Sequence, residues 1–495
     1  MKTPPIAWIQ ASRCKAASAR PICQALIAAV VFGLAACAVK RPPTGAEIRE
    51  QSDILHGVSL NEPWKAADAA SDAIQDKWLA SFEDSQLDAL VIEALAANPD
   101  LKIAATRVEQ AEQYLELAKA ALRPNIGLFG TGGLKMGGGD VSSALQGFSL
   151  GVSWEPDLWG RLRYGRNAAE STYFSVQADY EFSRQSLAAT VARAWFTATE
   201  TWIQIQIATS MVDSAQELLD LAEKRWQVGV GSEQDVALAR ASLGTFRDAA
   251  SQVQLAHDQS LRALELLLGR YPAAELQARH DFTSMPGPIP AGLPLQMLER
   301  RPDMVAAEQR VAAAFNRVGE AKAARLPRII LNANVAAIKS SILTLAPDFS
   351  NPTYGAGAKL LAPIYKGGEL QTQVEIRTLE QKEALADYGR LALRALGDVE
   401  NSLAVSESLA ERRSLLEQAV ADNERALELT ETSYRVGRSD LRAVQQQQLT
   451  LLSARQALLR VRSEQLSQRT TLHLALGGSF ESPTAAENPL ASLTP

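Results

Sequence analysis

Between residues 167 and 228 the chain contains neither glycine nor proline. Nothing in that run supplies turn chemistry, so it reads as a single helix. Counted from Gly160 to Gly229 it is about 70 residues, or ~105 Å at ~1.5 Å per residue. A second run repeats the pattern. No proline follows Pro363 until Pro483, and Gly389 and Gly397 interrupt residues 367–436 without having to break them. Each run ends in a Val-Gly step: RWQVGVGSEQDV begins at Arg225 and SYRVGRSDL at Ser433, and helical patterning resumes after both. Glycine tolerates the positive φ that ends a helix. Gly229, Gly231 and Gly437 therefore mark the turns of two very long helical hairpins. Leu261, Leu264 and Leu268, and later Leu416, Val420 and Leu427, supply apolar stripes for packing. Helices of such length suit a span across a periplasm better than a compact enzyme.

The two hairpins belong to a duplication. NPDLKIAATRVEQAEQYLELAKAALRPNI begins at Asn98 and RPDMVAAEQRVAAAFNRVGEAKAARLPRI at Arg301. Pro99 matches Pro302 and Pro124 matches Pro327 at an offset of 203; Pro156 pairs with Pro363 at 207 and Gly229 with Gly437 at 208. Each unit reads helix, two strands, long helix, turn, helix. The spacing predicts strands near 125–134, 146–156, 328–338 and 353–362, and long helices near 160–228 and 367–436. Phe148, Leu150, Val152 and Trp154 alternate with Ser149, Gly151 and Ser153. Leu331, Ala333, Val335 and Ala337 alternate with Asn332, Asn334 and Ala336; Tyr354, Ala356, Ala358 and Leu360 alternate with Gly355, Gly357 and Lys359. An apolar face opposite a small, polar one suits a membrane barrel with a wet lumen. A half-buried soluble sheet shows the same alternation. An export signal and the small number of strands favour the barrel. Four strands cannot close one, since about eight is the minimum, and an open edge in lipid leaves backbone groups without partners. Strands that span a membrane here require the chain to assemble with itself; this argument does not give the number of copies.

The export signal occupies residues 1–36. Lys2, Arg13, Lys15 and Arg20 precede an apolar run, ICQALIAAVVFGLAA, that is too short to span. LAAC, ending at Cys37, is similar to a lipobox, whose cysteine becomes the acylated first residue of the mature chain. Ordinary cleavage beside an incidental cysteine is the other reading. Cys14 and Cys23 would leave with the leader, so the mature chain has no internal disulfide. Removing four positive charges takes the net charge from −6 to −10. That balance, without a basic stripe among aromatics, argues against a nucleic-acid binder. The chain of 495 residues divides into leader 1–36, lipid-anchored tether 37–75, first repeat 76–281, second repeat 282–480 and a tail 481–495 expected to be disordered.

No catalytic, cofactor or metal site is expected. His56, His257, His280 and His473 lack ligand spacing. GFSLG matches G-x-S-x-G, but Ser149 falls within an alternating strand rather than on a sharp turn. KMGGGD, residues 135–140, lacks the Gly-Lys-Ser/Thr ending of a phosphate cradle and reads as a hairpin loop.

Several ordered motifs resemble the TolC-like outer-membrane efflux factors, in their NodT-type lipoprotein branch. DKWLASFEDSQLDALVIEALAANPDL is similar to the family's opening segment at Trp78, Phe82, Asp84, Leu87, Leu90, Ala94, Asn98, Pro99 and Leu101. WEPDLWGR at 154–161 resembles its strand-to-helix signature, LPLQMLERRPD at 293–303 its central joint and LHLALGGSF at 472–480 its end. The resemblance implies a mainly helical homotrimer: a twelve-stranded outer-membrane β-barrel, four strands per protomer, continued by a periplasmic α-helical barrel. It implies the exit duct of a tripartite efflux pump, with a periplasmic adaptor and an inner-membrane transporter of the RND type. It places Gly229, Gly231 and Gly437 at the periplasmic tip. Ala38, in place of an aspartate after Cys37, favours the outer membrane. Relatives carry acidic residues after the tip turn, whereas here RSDLRAVQQQQ reads as one residue shorter before its helix. The candidate aperture residues are Asp235, Asp440, Arg442 and Gln445, with Arg442 able to hold the tip shut on an acidic group such as Asp235. A periplasmic lipid-anchored coiled-coil adaptor or scaffold is the competing class.

Overall fold

The computed structural model describes residues 39–66, 74–134, 143–339 and 353–481. The leader, Cys37, the KMGGGD loop and the tail after residue 481 lie outside them. Nine α-helices and four strands alternate among the described residues: α1 (Gly45–Gln51), α2 (Ser85–Ala97), α3 (Pro99–Ala120), β1 (Asn125–Leu134), β2 (Ser143–Trp154), α4 (Arg161–Gln227), α5 (Glu233–Leu267), α6 (Pro294–Arg300), α7 (Pro302–Ala323), β3 (Arg328–Lys339), β4 (Thr353–Leu361), α8 (Glu369–Arg435) and α9 (Leu441–Ala475). The duplication is visible in element lengths. α3 and α7 each have 22 residues, α4 and α8 each 67, α5 and α9 each 35. At ~1.5 Å per residue, α4 and α8 are about 100 Å long.

The chain packs as two compact units, and each takes elements from both repeats. Among the described residues one contains 39–43, Glu112–Ser171 and Ala312–Glu383; the other contains Thr44–Ala111, Thr172–Val311 and 384–481.

The first unit holds an antiparallel sheet in the order β1-β2-β3-β4. Its corners are built by short-range hydrogen bonds. After β2, the Asp157 carboxylate accepts the backbone N–H groups of Leu162 and Arg163 at 3.1 and 2.9 Å, so it caps the start of α4. Gly160 takes φ +76°, and a Cβ there would strike Val39. The Lys40 backbone N–H donates to the Tyr164 hydroxyl at 2.9 Å. The first described residues of the chain are thus tied to the strand-to-helix corner.

The second unit is helical. In one apolar core Trp78, Phe82, Leu87, Trp195, Phe196 and Leu264 are buried together. Asp84 explains its place in the opening motif. It caps α2 by accepting from Gln86 and Leu87, and it also accepts the Trp195 indole N–H at 3.0 Å and pairs with Arg279 at 3.2 Å. Asn98 does the same at the next start, accepting from Leu101 while its amide donates to the Leu267 carbonyl. A second core gathers Met297, Met304, Tyr388, Val399 and Leu476. There Arg301 is held by Asp303 and donates to the Ala475 carbonyl. A third core, Met211, Leu219, Val236, Phe246, Tyr434 and Val444, joins the two hairpins near their turns.

Candidate functional site

The sheet has two chemically different faces, and the register fixes them. Directly paired residues share a face. One cross-strand row runs Ile126, Val152, Ala333, Ala356; the next runs Leu128, Leu150, Val335, Tyr354; a third holds Trp154, Leu331 and Ala358. The opposite face carries Gly127, Gly151, Asn334, Gly355 in one row and Ser153, Asn332, Gly357 in another, with Lys359 nearby. The first face is apolar and the second is small or polar, Phe129 and Ile330 being exceptions on it. Yet the apolar face is not covered. Leu128, Tyr354 and Leu360 are 70%, 77% and 67% exposed, as much as surface polar residues would be. A contiguous apolar sheet face of this kind needs lipid or a partner against it. The strands have 10, 12, 12 and 9 residues, which is the length a tilted transmembrane strand needs. Ser149 sits in this ladder between Phe129 and Ala336, so GFSLG forms no nucleophile turn.

The hairpin turns lie in the helical unit. Gly229 and Gly437 take φ +79° and +78°, and their backbone N–H groups donate to the carbonyls of Trp226 and Tyr434 at 3.0 Å. Both are left-handed C-terminal caps. Gly231 serves differently: its φ is ordinary, but a Cβ would come within 2.9 Å of the Trp226 backbone nitrogen. Val228, Val230 and Val436 present exposed methyl groups at the turns.

The structure relocates the aperture residues. α5 begins four residues after Gly229 and α9 four after Gly437, so the two connections have equal length. The one-residue shortening read from the sequence is incorrect. The misreading came from the caps: Ser232 caps α5, and Asp440 stands at the equivalent position before α9. Asp235 completes a capping box with Ser232, and its counterpart in the second repeat is Ala443. Asp440 accepts the Ala443 N–H at 2.8 Å. Arg442 is exposed and makes no ion pair among the described residues, so it does not meet Asp235 within the chain. The Gln445 amide nitrogen is buried without a hydrogen-bond partner, as are both amide atoms of Gln448 and the hydroxyl of Tyr434.

The contact that sequence reasoning missed joins the hairpins. The Arg225 guanidinium donates to the Tyr434 carbonyl at 3.0 Å and lies 4.9 Å from the centre of its ring. Burial raises the Tyr434 pKa, and Arg225 opposes that shift. The two residues are 209 positions apart, so no local pattern links them.

The histidines are packed rather than gathered. His257 bonds to the Thr201 hydroxyl and lies against Trp202; His280 meets the other edge of Trp202; His473 stacks on Trp78. Among the described residues, no group of three His, Cys, Asp or Glu could hold a metal ion, and no helix is long and apolar enough to cross a membrane.

An uncovered apolar sheet of membrane-spanning strands, joined to two helical hairpins of this length, defines an outer-membrane efflux channel subunit. The chain belongs to the outer membrane efflux protein family, whose sequence model matches residues 90–270 and 293–478. It is 30% identical over 445 residues to the pyoverdine export outer membrane protein OpmQ of Pseudomonas aeruginosa, covering 86% of this chain and 92% of that protein. Among solved structures, it is similar to the CmeC outer membrane channel of Campylobacter jejuni, with a TM-score of 0.79 and 23% identity over 86% of this chain and 96% of that one. It is also similar to the outer membrane protein VceC of Vibrio cholerae, with a TM-score of 0.76 and 24% identity over 83% of this chain and all of that one.

Proposed function

We propose that three copies of this chain close a twelve-stranded barrel in the outer membrane and serve as the exit duct of a tripartite pump. One observation carries this reading. β1 and β4 each have a single neighbour among the described residues, and the sheet they bound has an apolar face. In hydrocarbon such edges must find partners, each unmatched backbone group costing several kcal/mol. The β1 edge of one copy meets the β4 edge of the next. Three copies supply the twelve strands, with the polar face lining the bore.

The duct is passive. It docks through the exposed valine turns to a periplasmic adaptor, which couples it to an inner-membrane transporter of the RND type. Asp235, Asp440, Arg442 and Gln445 lie around the aperture formed by the tips. Cys37 carries the lipid. Its support is the tie from Val39 and Lys40, two and three positions after Cys37 in sequence, to the strand-to-helix corner. The chain does no catalysis.

The test uses the full-length chain purified from membranes in detergent. The expected result is a native mass of three acylated copies and ion conductance in a planar bilayer. A monomer that passes no ions overturns the proposal.

A further inference from the structure

We propose that the cleft where the strands give way to helices binds the phosphate of a membrane phospholipid headgroup. This rests on the reading that the sheet spans the membrane. The cavity holds about 320 Å³ and lies wholly within the sheet unit. Residues 155–159 and Arg161 line one side; the end of α7, the start of β3, the end of β4 and the approach to α8 line the rest.

Its charges are unequally committed. Glu155 pairs with Arg161 at 3.0 Å, and Asp157 is consumed by two backbone N–H groups and the Arg163 guanidinium at 3.2 Å. Arg161 keeps one unmade donor, and two further cations, Arg328 and Lys366, are little engaged. The Nε of Arg161 is buried and has no hydrogen-bond partner among the described residues. Arg328 lines the cleft and makes no ion pair among the described residues. Lys366 has only a loose pairing with the exposed Glu369, at 3.8 Å. An orphaned, buried guanidinium N–H is costly to leave unmade. An anionic oxygen satisfies it, and Arg recognises phosphate in a defined geometry. The cleft also has an apolar wall, with Leu158, Leu326, Ile329 and Leu370. A free anion has no use for that wall; the glycerol and first methylenes of a lipid do.

The surroundings place the cleft at the depth of headgroups. The indole N–H of Trp154 donates to the Leu122 carbonyl, and that of Trp159 to the Pro327 carbonyl. Ile364 and Tyr365, between two lining residues, are 96% and 87% exposed. Amphipathic aromatics of this kind gather at the membrane–water boundary.

The experiment is a titration of the delipidated full-length trimer in detergent with phosphatidylglycerol, and separately with inorganic phosphate, read by native mass spectrometry. Phosphatidylglycerol is expected to bind the wild type. Replacing the two exposed cations together, Arg328→Ser with Lys366→Ser, is expected to weaken it about tenfold or more. Arg328→Lys with Lys366→Arg retains binding. Leu370→Trp, which fills the apolar wall, lowers retention with all charges intact. Unchanged retention in the double serine variant or in Leu370→Trp overturns the proposal. Charge-sensitive binding of inorganic phosphate with no binding of phosphatidylglycerol overturns the lipid assignment. Conductance of the same preparations separates these outcomes from failure of the channel reading, because a conducting trimer that ignores lipid refutes the cleft alone.

Discussion

The two helical hairpins share lengths and turns but not their solutions to burial. At the tip, Trp226 of the first hairpin is 50% exposed, while Tyr434, its counterpart at the same offset, is 3% exposed and held by Arg225. At the root, Glu265 of α5 and His473 of α9 are counterparts, 3% and 4% exposed. Glu265 is fully engaged: its carboxylate accepts the backbone N–H groups of Ala274, Glu275 and Leu276 at 2.8 to 3.2 Å. Burial favours its neutral form, yet those donors hold its pKa below the usual carboxylate value. Neither ring nitrogen of His473 has a hydrogen-bond partner among the described residues. Burial, aided by Arg469, pushes its pKa down to about 3. Duplication copied the backbone; each copy then met the cost of a buried ionisable group separately, one by wrapping a loop around the charge and the other by keeping the ring neutral.

The largest effect that sharpens this contrast is expected at Glu265. Glu265→Ala strands three backbone donors and should cost about 3 kcal/mol or more. The thermal midpoint of the purified protein measures it, and a loss no larger than that of any His473 substitution would erase the distinction.

Arg225 tests the tips. Arg225→Ala removes a charged hydrogen bond and a cation–π contact, together about 2 kcal/mol. Amides around Gly437 should then exchange with solvent about 30-fold faster, and resting conductance in bilayers should rise. Arg442→Ala makes a useful partner experiment, because Arg442 is exposed and makes no ion pair among the described residues. If it alone opens the resting channel, contacts between copies hold the aperture, and the Arg225 link is structural.

At neutral pH the smallest effect is that of His473, which grows only in acid. The folded pKa of His473 lies below its ordinary value of 6.5. From about pH 6.5 down to about pH 3 the unfolded chain binds a proton that the native chain refuses, so stability falls as pH falls through that window. His473→Phe keeps a ring against Trp78 and removes the titration. Its midpoint should decline less than that of the wild type from about pH 7 to about pH 4; parallel profiles would refute the assignment.

Much of the fold was legible because it rests on short periods. Residues 167–227 offered no turn and form part of one helix. The alternation at Leu331, Ala333 and Val335 gave both the strand and its apolar face. Gly229 and Gly437 announced their positive φ. What escaped depends on distant partners or on equivalent chemistry in different residues. Nothing near Arg225 points to Tyr434. Serine and aspartate cap helices equally well, so Ser232 and Asp440 concealed their equivalence and shifted the reading of the tip. The motif Asp84 looked like a family signature, and only packing reveals why it is there: one carboxylate serves a helix start, an indole and a guanidinium.

The open edges of β1 and β4 also bear on how the protein is made. Among the described residues a single chain leaves these edges unpaired, so on the proposed trimer the last step of folding is an encounter between molecules, and its rate rises with concentration. Until that encounter each edge will pair with any strand that reaches it. Overproduction without matching delivery to the membrane should therefore yield insoluble, strand-paired material rather than a reservoir of competent monomers.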